Sequence, residues 1–369
     1  MKQLNPLLLL TVMLAACTTL PQAATLQSAN HAIVKQHIIP SYQTLASASI
    51  ALEKKSDALC ASPNQQHLDE TKRRFHQTMD AWMAVQHLRN GPVEILTRYH
   101  RFQLWPDKHN TGSKQLAKLL AAKDIDALEA DRFARGSVAV QGLSALERLL
   151  FSKKITLETF GTAAQPSYHC LLIKTIARNL STMSTNLANE WNASPTPFHT
   201  LFVSSGHTLN KHITDKDLDM KMNVTAIFYN NLTTEIQAII DQKLERPMQA
   251  NTNKAKPRYT ESWRSQRSLR NIEINLQALE SLHDVGFAPL LLTKPNGEKL
   301  NKKITQTFQT IHTSISKIKT PLSEALKNKN QRSALEQLVD EIRQLQSLLT
   351  GPLSQTLKIP LGFNALDGD

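Results

Sequence analysis

Along most of the chain, apolar residues recur every three or four positions, the spacing of one face of an α-helix. From Ala32 to Leu59 the pattern predicts helix, interrupted at Pro40, which ends or kinks the first stretch. Leu68 to Leu88 predicts a long amphipathic helix, stopped at Asn90-Gly91-Pro92, where glycine and proline together break helices firmly. Residues 93–112 lack the period. Helices are then expected around Ser113–Ala122, Ile125–Ala130, Gly136–Ser152 and His169–Trp191. After Ser194-Pro-Thr-Pro197 the chain stays polar through residue 220. Asn223–Leu244, Ser262–Leu282, Leu300–Leu322 and Gln331–Leu349 follow as four further helices. A basic linker at 246–258, with Lys254, Lys256 and Arg258, and a break at Gly286–Gly297 separate them.

Composition agrees with helix. Glycine numbers 11 in 369 residues and aromatics make up 5%, with straight-chain residues abundant. The fold class expected is all-α, as two packed helical bundles. The division is expected at residues 31–197 and 198–369. Leu143-Ser-Ala-Leu-Glu147 recurs as Leu276-Gln-Ala-Leu-Glu280, a weak echo between the halves.

The beginning of the chain reads differently. Lys2 precedes an apolar run from Leu7 to Leu14, too short for the roughly 20 residues that span a bilayer. A charged start, a short apolar core and small residues describe a secretory signal over residues 1–16. Leu14-Ala-Ala-Cys17 resembles the lipobox of bacterial lipoproteins. That resemblance implies lipidation of Cys17, a tether over residues 17–30, and attachment to a membrane. Thr18, rather than aspartate, implies sorting to the outer membrane, with the protein facing the periplasm.

Export then constrains the remaining chemistry. Beyond Cys17 only Cys60 and Cys170 are left, in an oxidising compartment, and a disulfide is expected in preference to a metal site or two buried thiols. It would join the helix containing Ala51–Cys60 to the one starting near His169. Removing residues 1–16 lowers the formal charge from +12 to +11. An exported protein meets little nucleic acid, so none is expected as a partner. Anionic headgroups, an acidic envelope partner, or a solvated basic face without a partner all account for the charge.

One segment carries the candidate site. On a helical wheel of Ser137 to Phe151, Val138, Gly142, Ala145, Leu146 and Leu149 fill one face. Ala139, Leu143 and Leu150 extend it. Ser137, Gln141, Ser144, Glu147 and Arg148 share the remaining arc, interrupted by Val140 and Phe151. So little polar surface implies burial on most sides. A buried Glu147 then needs a partner, such as an arginine, or a proton. Gly142 would admit the close approach of a backbone or ligand. Two readings stay open: a polar pocket on a central helix, or an internal network pinning two helices.

The sequence resembles the imelysin family on several motifs taken in order. In the first half these are Trp82, Arg89-Asn-Gly91-Pro92, Phe102-Gln-Leu-Trp105-Pro106-Asp107, and the stretch Ser137-Val-Ala-Val-Gln141-Gly142-Leu-Ser144-Ala-Leu-Glu147. Ser262-Trp263-Arg264-Ser-Gln-Arg-Ser268 and Gly362-Phe-Asn-Ala-Leu-Asp367-Gly368-Asp369 match the second half. The resemblance implies two helical bundles with a site between them, a link to iron acquisition, and classification among metallopeptidases. It makes Arg89, Asp107, Gln141, Gly142, Ser144 and Glu147 the binding residues to test. Iron or another divalent metal is the cofactor it brings into view. The family signature is Gly-x-His-x-x-Glu, and here Ser144 stands where the histidine belongs. A hydroxyl is a poor ligand for zinc or ferrous iron beside an imidazole.

Other catalytic signals are weak. There is no His-Glu-x-x-His helix, nucleophile elbow or phosphate-cradling glycine loop. His67 and Glu70 lie three apart, in what reads as a solvated first turn. His199, His207 and His212 gather near the expected domain boundary without a motif. Three functions follow as expectations. The favoured one is a non-enzymatic binding lipoprotein with an interdomain pocket, in iron acquisition. The others are a metallopeptidase with a degenerate site and a helical scaffold for an envelope or iron-uptake partner.

Overall fold

The computed structural model describes residues 24–192, 198, 202–203 and 224–360. Cys17, His199, His207, His212 and the Gly362–Asp369 motif lie outside them. Every regular element among the described residues is helical, and one isolated bridge joins Gly161 to Pro166. Helix α1 (Leu26–Ala32) begins inside the expected tether, where the Thr25 and Ser28 side chains each take the other's backbone N–H. A π-helical turn at Ile33–Ile38 leads into α2 (Ile39–Ala61). Pro40 therefore does not end the helix. It sits in the first turn after the π-turn, where its missing N–H is tolerated.

In α2 the buried positions Leu45, Ser49, Leu52, Ser56 and Leu59 alternate by four and three. Ile173, Ala177, Leu180, Ser184, Leu187 and Trp191 repeat that spacing on α8 (Tyr168–Asn192). Both are the seams of helices that pack side by side at a shallow angle. Cys60 is bonded to Cys170 at one end, with Cα atoms 5.6 Å apart, and Tyr42 stacks on Trp191 at the other. The two helices are thus antiparallel, and the disulfide joins the helices that its sequence positions imply.

Helix α3 (Gln65–Met83) is tied to α2 by threonines. The Thr71 hydroxyl donates to the Lys55 carbonyl and that of Thr78 to the Ala48 carbonyl. The helix stops five residues short of Leu88. The Met83 carbonyl accepts from Asn275 of the second half at 2.8 Å and from the Gln86 N–H at 3.4 Å, three residues on instead of four. Shorter helices follow: α4 (Arg98–Phe102), α5 (Thr111–Ala122), α6 (Ala130–Ala134) and α7 (Leu143–Phe151).

The second half contains α9 (Val224–Ala238), α10 (Arg246–Met248), α11 (Ser268–Leu282), α12 (Ala288–Leu291), α13 (Gly297–Lys317), α14 (Leu322–Ala325), α15 (Lys329–Leu348) and α16 (Ser354–Leu357). Several expected boundaries move: the Leu300–Leu322 helix, for one, runs Gly297–Lys317. Helix α11 starts at Ser268, not Ser262, because Ser262 and Gln266 hold positive φ of 50° and 58°. Gly286 does not break the chain but lies in a π-turn, His283–Phe287. A Cβ there would sit 2.5 Å from Ile33 Cδ1, so this glycine admits the side chain of another helix. Buried residues of both halves form one continuous core.

Candidate functional site

The stretch from Ser137 to Phe151 is not one helix. Val138–Val140 form a single 3-10 turn, and α7 starts only at Leu143, with Gly142 as an extended N-cap. The reason is the neighbouring chain. A Cβ on Gly142 would lie 2.3 Å from the Phe102 carbonyl oxygen and 2.5 Å from that of Arg101, both backbone atoms. Only glycine lets the two strands of backbone pass so closely. Gln141 consequently leaves the arc shared by Ser144 and Glu147. Its amide is fully buried, accepting from Arg101 Nε at 2.7 Å and donating to the Phe133 and Gly136 carbonyls. It fixes the loop ahead of α7.

Ser144, Glu147 and Arg148 do face a common space. A cleft of about 560 Å³ is lined by these three and by Leu104–Lys108, Ser113, Arg246, Arg258–Thr260 and Ser262–Arg264. The lining comes from both halves of the chain. Arg89, Gln141 and Gly142 do not line it, whereas Asp107, Ser144 and Glu147 do.

Each polar group on the α7 side is already engaged. The Ser144 hydroxyl donates to the Leu104 carbonyl at 3.1 Å. Glu147 is buried, and its Oε1 accepts from both the backbone N–H of Ser265 at 2.9 Å and the Ser265 hydroxyl at 2.8 Å. The partner is therefore a serine from the second half, with Arg264 and Arg148 adding favourable charge at longer range. Burial outweighs these contacts and pushes the Glu147 carboxyl above the ordinary value. Asp107 accepts from the backbone N–H groups of Thr111 at 2.7 Å and Gly112 at 2.9 Å, capping α5. Arg148 reaches Asp107 at 3.8 Å and donates to the Ser113 hydroxyl.

Behind the cleft lies a second, drier network centred on Lys243 and Glu261, two residues that no sequence motif singled out. Lys243 is buried and donates to Gln86 Oε1 at 2.6 Å, Asn275 Oδ1 at 2.7 Å and Glu261 Oε2 at 3.0 Å. Glu261 also accepts from Gln103 at 3.0 Å and Asn271 at 3.0 Å. Gln103 in turn accepts from the Trp82 indole at 2.8 Å, and Trp82 stacks on Phe102. Arg89 belongs to this layer, paired with buried Glu235 at 2.9 Å and lying over the Tyr99 ring. A buried charge this well surrounded is held by its partners, and losing one partner is costly. The network pins the two halves together under Trp105, Thr260 and Ser262 of the cleft wall.

The family model described as Imelysin matches residues 38–349, most of the chain. The chain belongs to the imelysin family. Among solved structures, an imelysin-like protein from Psychrobacter arcticum 273-4 superposes with a TM-score of 0.73 at 17% identity, covering 93% of this chain and 98% of that one. A protein named as a candidate iron-regulated protein A precursor, from Parabacteroides distasonis ATCC 8503, gives a TM-score of 0.66 at 12% identity. That match covers 90% of this chain and 96% of the other. At such identities these likenesses speak for the fold. No curated protein matched.

The imelysin name brings a metal into view, and the donors around Glu147 do not fit one. Divalent zinc or iron calls for imidazole, thiolate or free carboxylate ligands in a converging set. Here Ser144 replaces the histidine, the Asp107 oxygens cap a helix, and the remaining charged neighbours are cationic. Among the described residues no cluster of three or more His, Cys, Asp or Glu is placed to hold a metal. His67 and Glu70 do not chelate either. His67 is engaged with Asn64 and the Ser62 carbonyl, and Glu70 pairs with Lys55.

Proposed function

We propose that this imelysin-like chain is a lipid-anchored, periplasm-facing binding protein that takes its ligand in the cleft between the halves and performs no hydrolysis there. The observation that carries the reading is the state of Glu147. Its accepting oxygen is held by Ser265, and the residue one helical turn before it is a serine already bonded to a carbonyl. A metallopeptidase needs a metal with an open coordination position and an activated water. A cleft with these donors suits recognition instead. The Leu-Ala-Ala-Cys17 resemblance supports the anchor, and no described helix is long and apolar enough to cross a membrane. A role in iron acquisition is the one proposed here, in line with the likeness to an iron-regulated protein A precursor.

A peptidase assay of the purified protein against unfolded protein substrates, with added zinc or ferrous iron and with chelator, tests the reading. No metal-dependent cleavage is expected. Chelator-sensitive cleavage that disappears in Glu147→Ala overturns it. Cys17→Ser tests the anchor separately, and is expected to release the protein from the membrane fraction. Retention of that variant with the outer membrane contradicts the anchor.

A further inference from the structure

Most half-buried or buried arginines in this protein have an evident acceptor. Arg98 makes a two-pronged pair with Glu190, at 2.7 and 2.9 Å. Arg89 pairs with Glu235, Arg267 with Asp80, and Arg332 donates to the Met248 and Gln249 carbonyls. The cleft breaks this pattern. Half-buried Arg246 and Arg264 line it beside the exposed Arg258, and none of the three has a carboxylate within ion-pair distance among the described residues.

These three guanidinium groups are propped on aromatic rings instead. Arg264 lies 4.2 Å from the centre of the Trp263 ring, with Arg258 at 5.8 Å from the same ring. Arg246 lies 5.1 Å from the Tyr259 ring. Stacking on a ring face holds a guanidinium in a set plane while leaving its N–H edge free to donate. Arg148 joins them from α7. Facing these four cations, among the described residues, are two carboxylates, Asp107 and Glu147, each already accepting from N–H groups of the protein. The cations also repel one another. Burial first, and then the charge of Arg148, pulls the Arg264 guanidinium down to about 10. Like charges gathered in a concave, partly dry site attract an anion strongly, because the walls focus the field.

We propose that the cleft binds a small oxyanion carrying two or more carboxylate or phosphate groups, gripped by Arg148, Arg246, Arg258 and Arg264. This inference rests on the binding reading above and names the ligand class for the same cleft. The planar guanidinium fork matches carboxylate and phosphate edge-on, two bonds at a time. Four such forks around one cleft exceed what a single carboxylate can satisfy. The arginines come from α7 on one side and from α10 and the 249–267 segment on the other, so a bound anion bridges the halves.

Calorimetric titration of the full chain with citrate, pyrophosphate and acetate, at physiological salt, tests the assignment. Vesicles of phosphatidylcholine with and without phosphatidylglycerol form a parallel arm. Citrate or pyrophosphate is expected to bind one to one, at least tenfold tighter than acetate. Arg258→Gln with Arg264→Gln is expected to weaken that binding at least tenfold, while Arg343→Gln, on the surface pair with Glu245, leaves it unchanged. Arg258 is exposed, so Arg258→Gln alone provides a variant that folds, and a severalfold loss is expected from it. Binding confined to phosphatidylglycerol vesicles, whose headgroup carries a single phosphate, overturns the multivalent assignment. Equal binding by the double variant, or no saturable heat from any multivalent anion or vesicle, overturns the proposal. A chain that binds no oxyanion yet cleaves no peptide removes this assignment alone. Metal-dependent cleavage instead removes the reading beneath it.

Discussion

Ser265 donates both its backbone N–H and its hydroxyl to one oxygen of Glu147, a residue 118 positions earlier in the chain. This contact joins the helix that carries the family motif to the loop that carries the arginines. It holds a buried carboxyl that makes no direct ion pair among the described residues. Its loss should be felt across the interface of the two halves.

Glu147→Gln is expected to fold and to be at least as stable as the natural protein at neutral pH. The amide oxygen can still accept from Ser265. Because burial raises the Glu147 carboxyl, the folded state holds its proton more tightly than the unfolded one. Stability from this group is full at acid pH below the ordinary carboxylate value. It falls as pH rises through the raised folded value, and the amide escapes that loss. Glu147→Leu leaves the Ser265 N–H unpaired and should cost about 1–3 kcal/mol. Urea unfolding of both variants between pH 4 and 8 checks the order and the slope.

Gly142→Ala should lower stability by about 3 kcal/mol, since its Cβ meets backbone that cannot swing aside. Gly351→Ala is the contrast, because a Cβ there meets nothing within 4 Å. Thermal unfolding of the two variants should show a large loss for the first and almost none for the second.

Acid should destabilise the protein well before its carboxylates are titrated. His37 and His87 are buried with their Nε2 atoms 2.9 Å apart, and the other His37 nitrogen contacts Ser281 at 3.1 Å. Burial holds His37 down to about 4 and His87 well below the usual histidine value. Below the ordinary value of 6.5 the unfolded chain takes up protons that the folded chain refuses. Stability is therefore full above about pH 6.5 and falls as pH drops toward 4, by on the order of 3 kcal/mol for His37 alone. Denaturant midpoints at pH 7 and pH 5 test this, and His37→Asn should flatten the difference.

Reducing the Cys60–Cys170 bond, or replacing both residues by alanine, should cost about 2–5 kcal/mol, as expected for closing a long loop. The double alanine variant should keep its helical circular dichroism while its thermal midpoint falls. An unchanged midpoint would show that α2 and α8 need no tie.

Much of this architecture is legible in the residue pattern, for reasons that differ by element. The α8 seam shows because a three-four repeat of apolar positions survives over 25 residues. The disulfide shows because only Cys60 and Cys170 remain once the cysteine of the expected lipobox is set aside, and the fold places them 5.6 Å apart at Cα. The 137–142 segment misleads because a wheel registers polarity but not the carbonyls of Phe102 and Arg101 pressing on Gly142. The Ser262–Arg267 turn misleads for a similar reason, since serine and glutamine give no hint of positive φ. The wheel implies a buried Glu147 with either a partner such as an arginine or a proton; the partner is Ser265, and burial raises the carboxyl. The arginine cluster lay within a recognised motif and a basic linker, yet nothing in spacing shows that they converge.

The central claim is that this cleft has lost the donors of a metal site and kept the shape of a binding site. Titration calorimetry of zinc and ferrous iron into metal-free protein, beside the Ser144→His variant, tests it most directly. The account predicts no tight, stoichiometric binding to the natural chain, and measurably tighter binding once an imidazole stands one turn before Glu147. Tight one-to-one metal binding by the natural chain, abolished in Glu147→Ala, would contradict it.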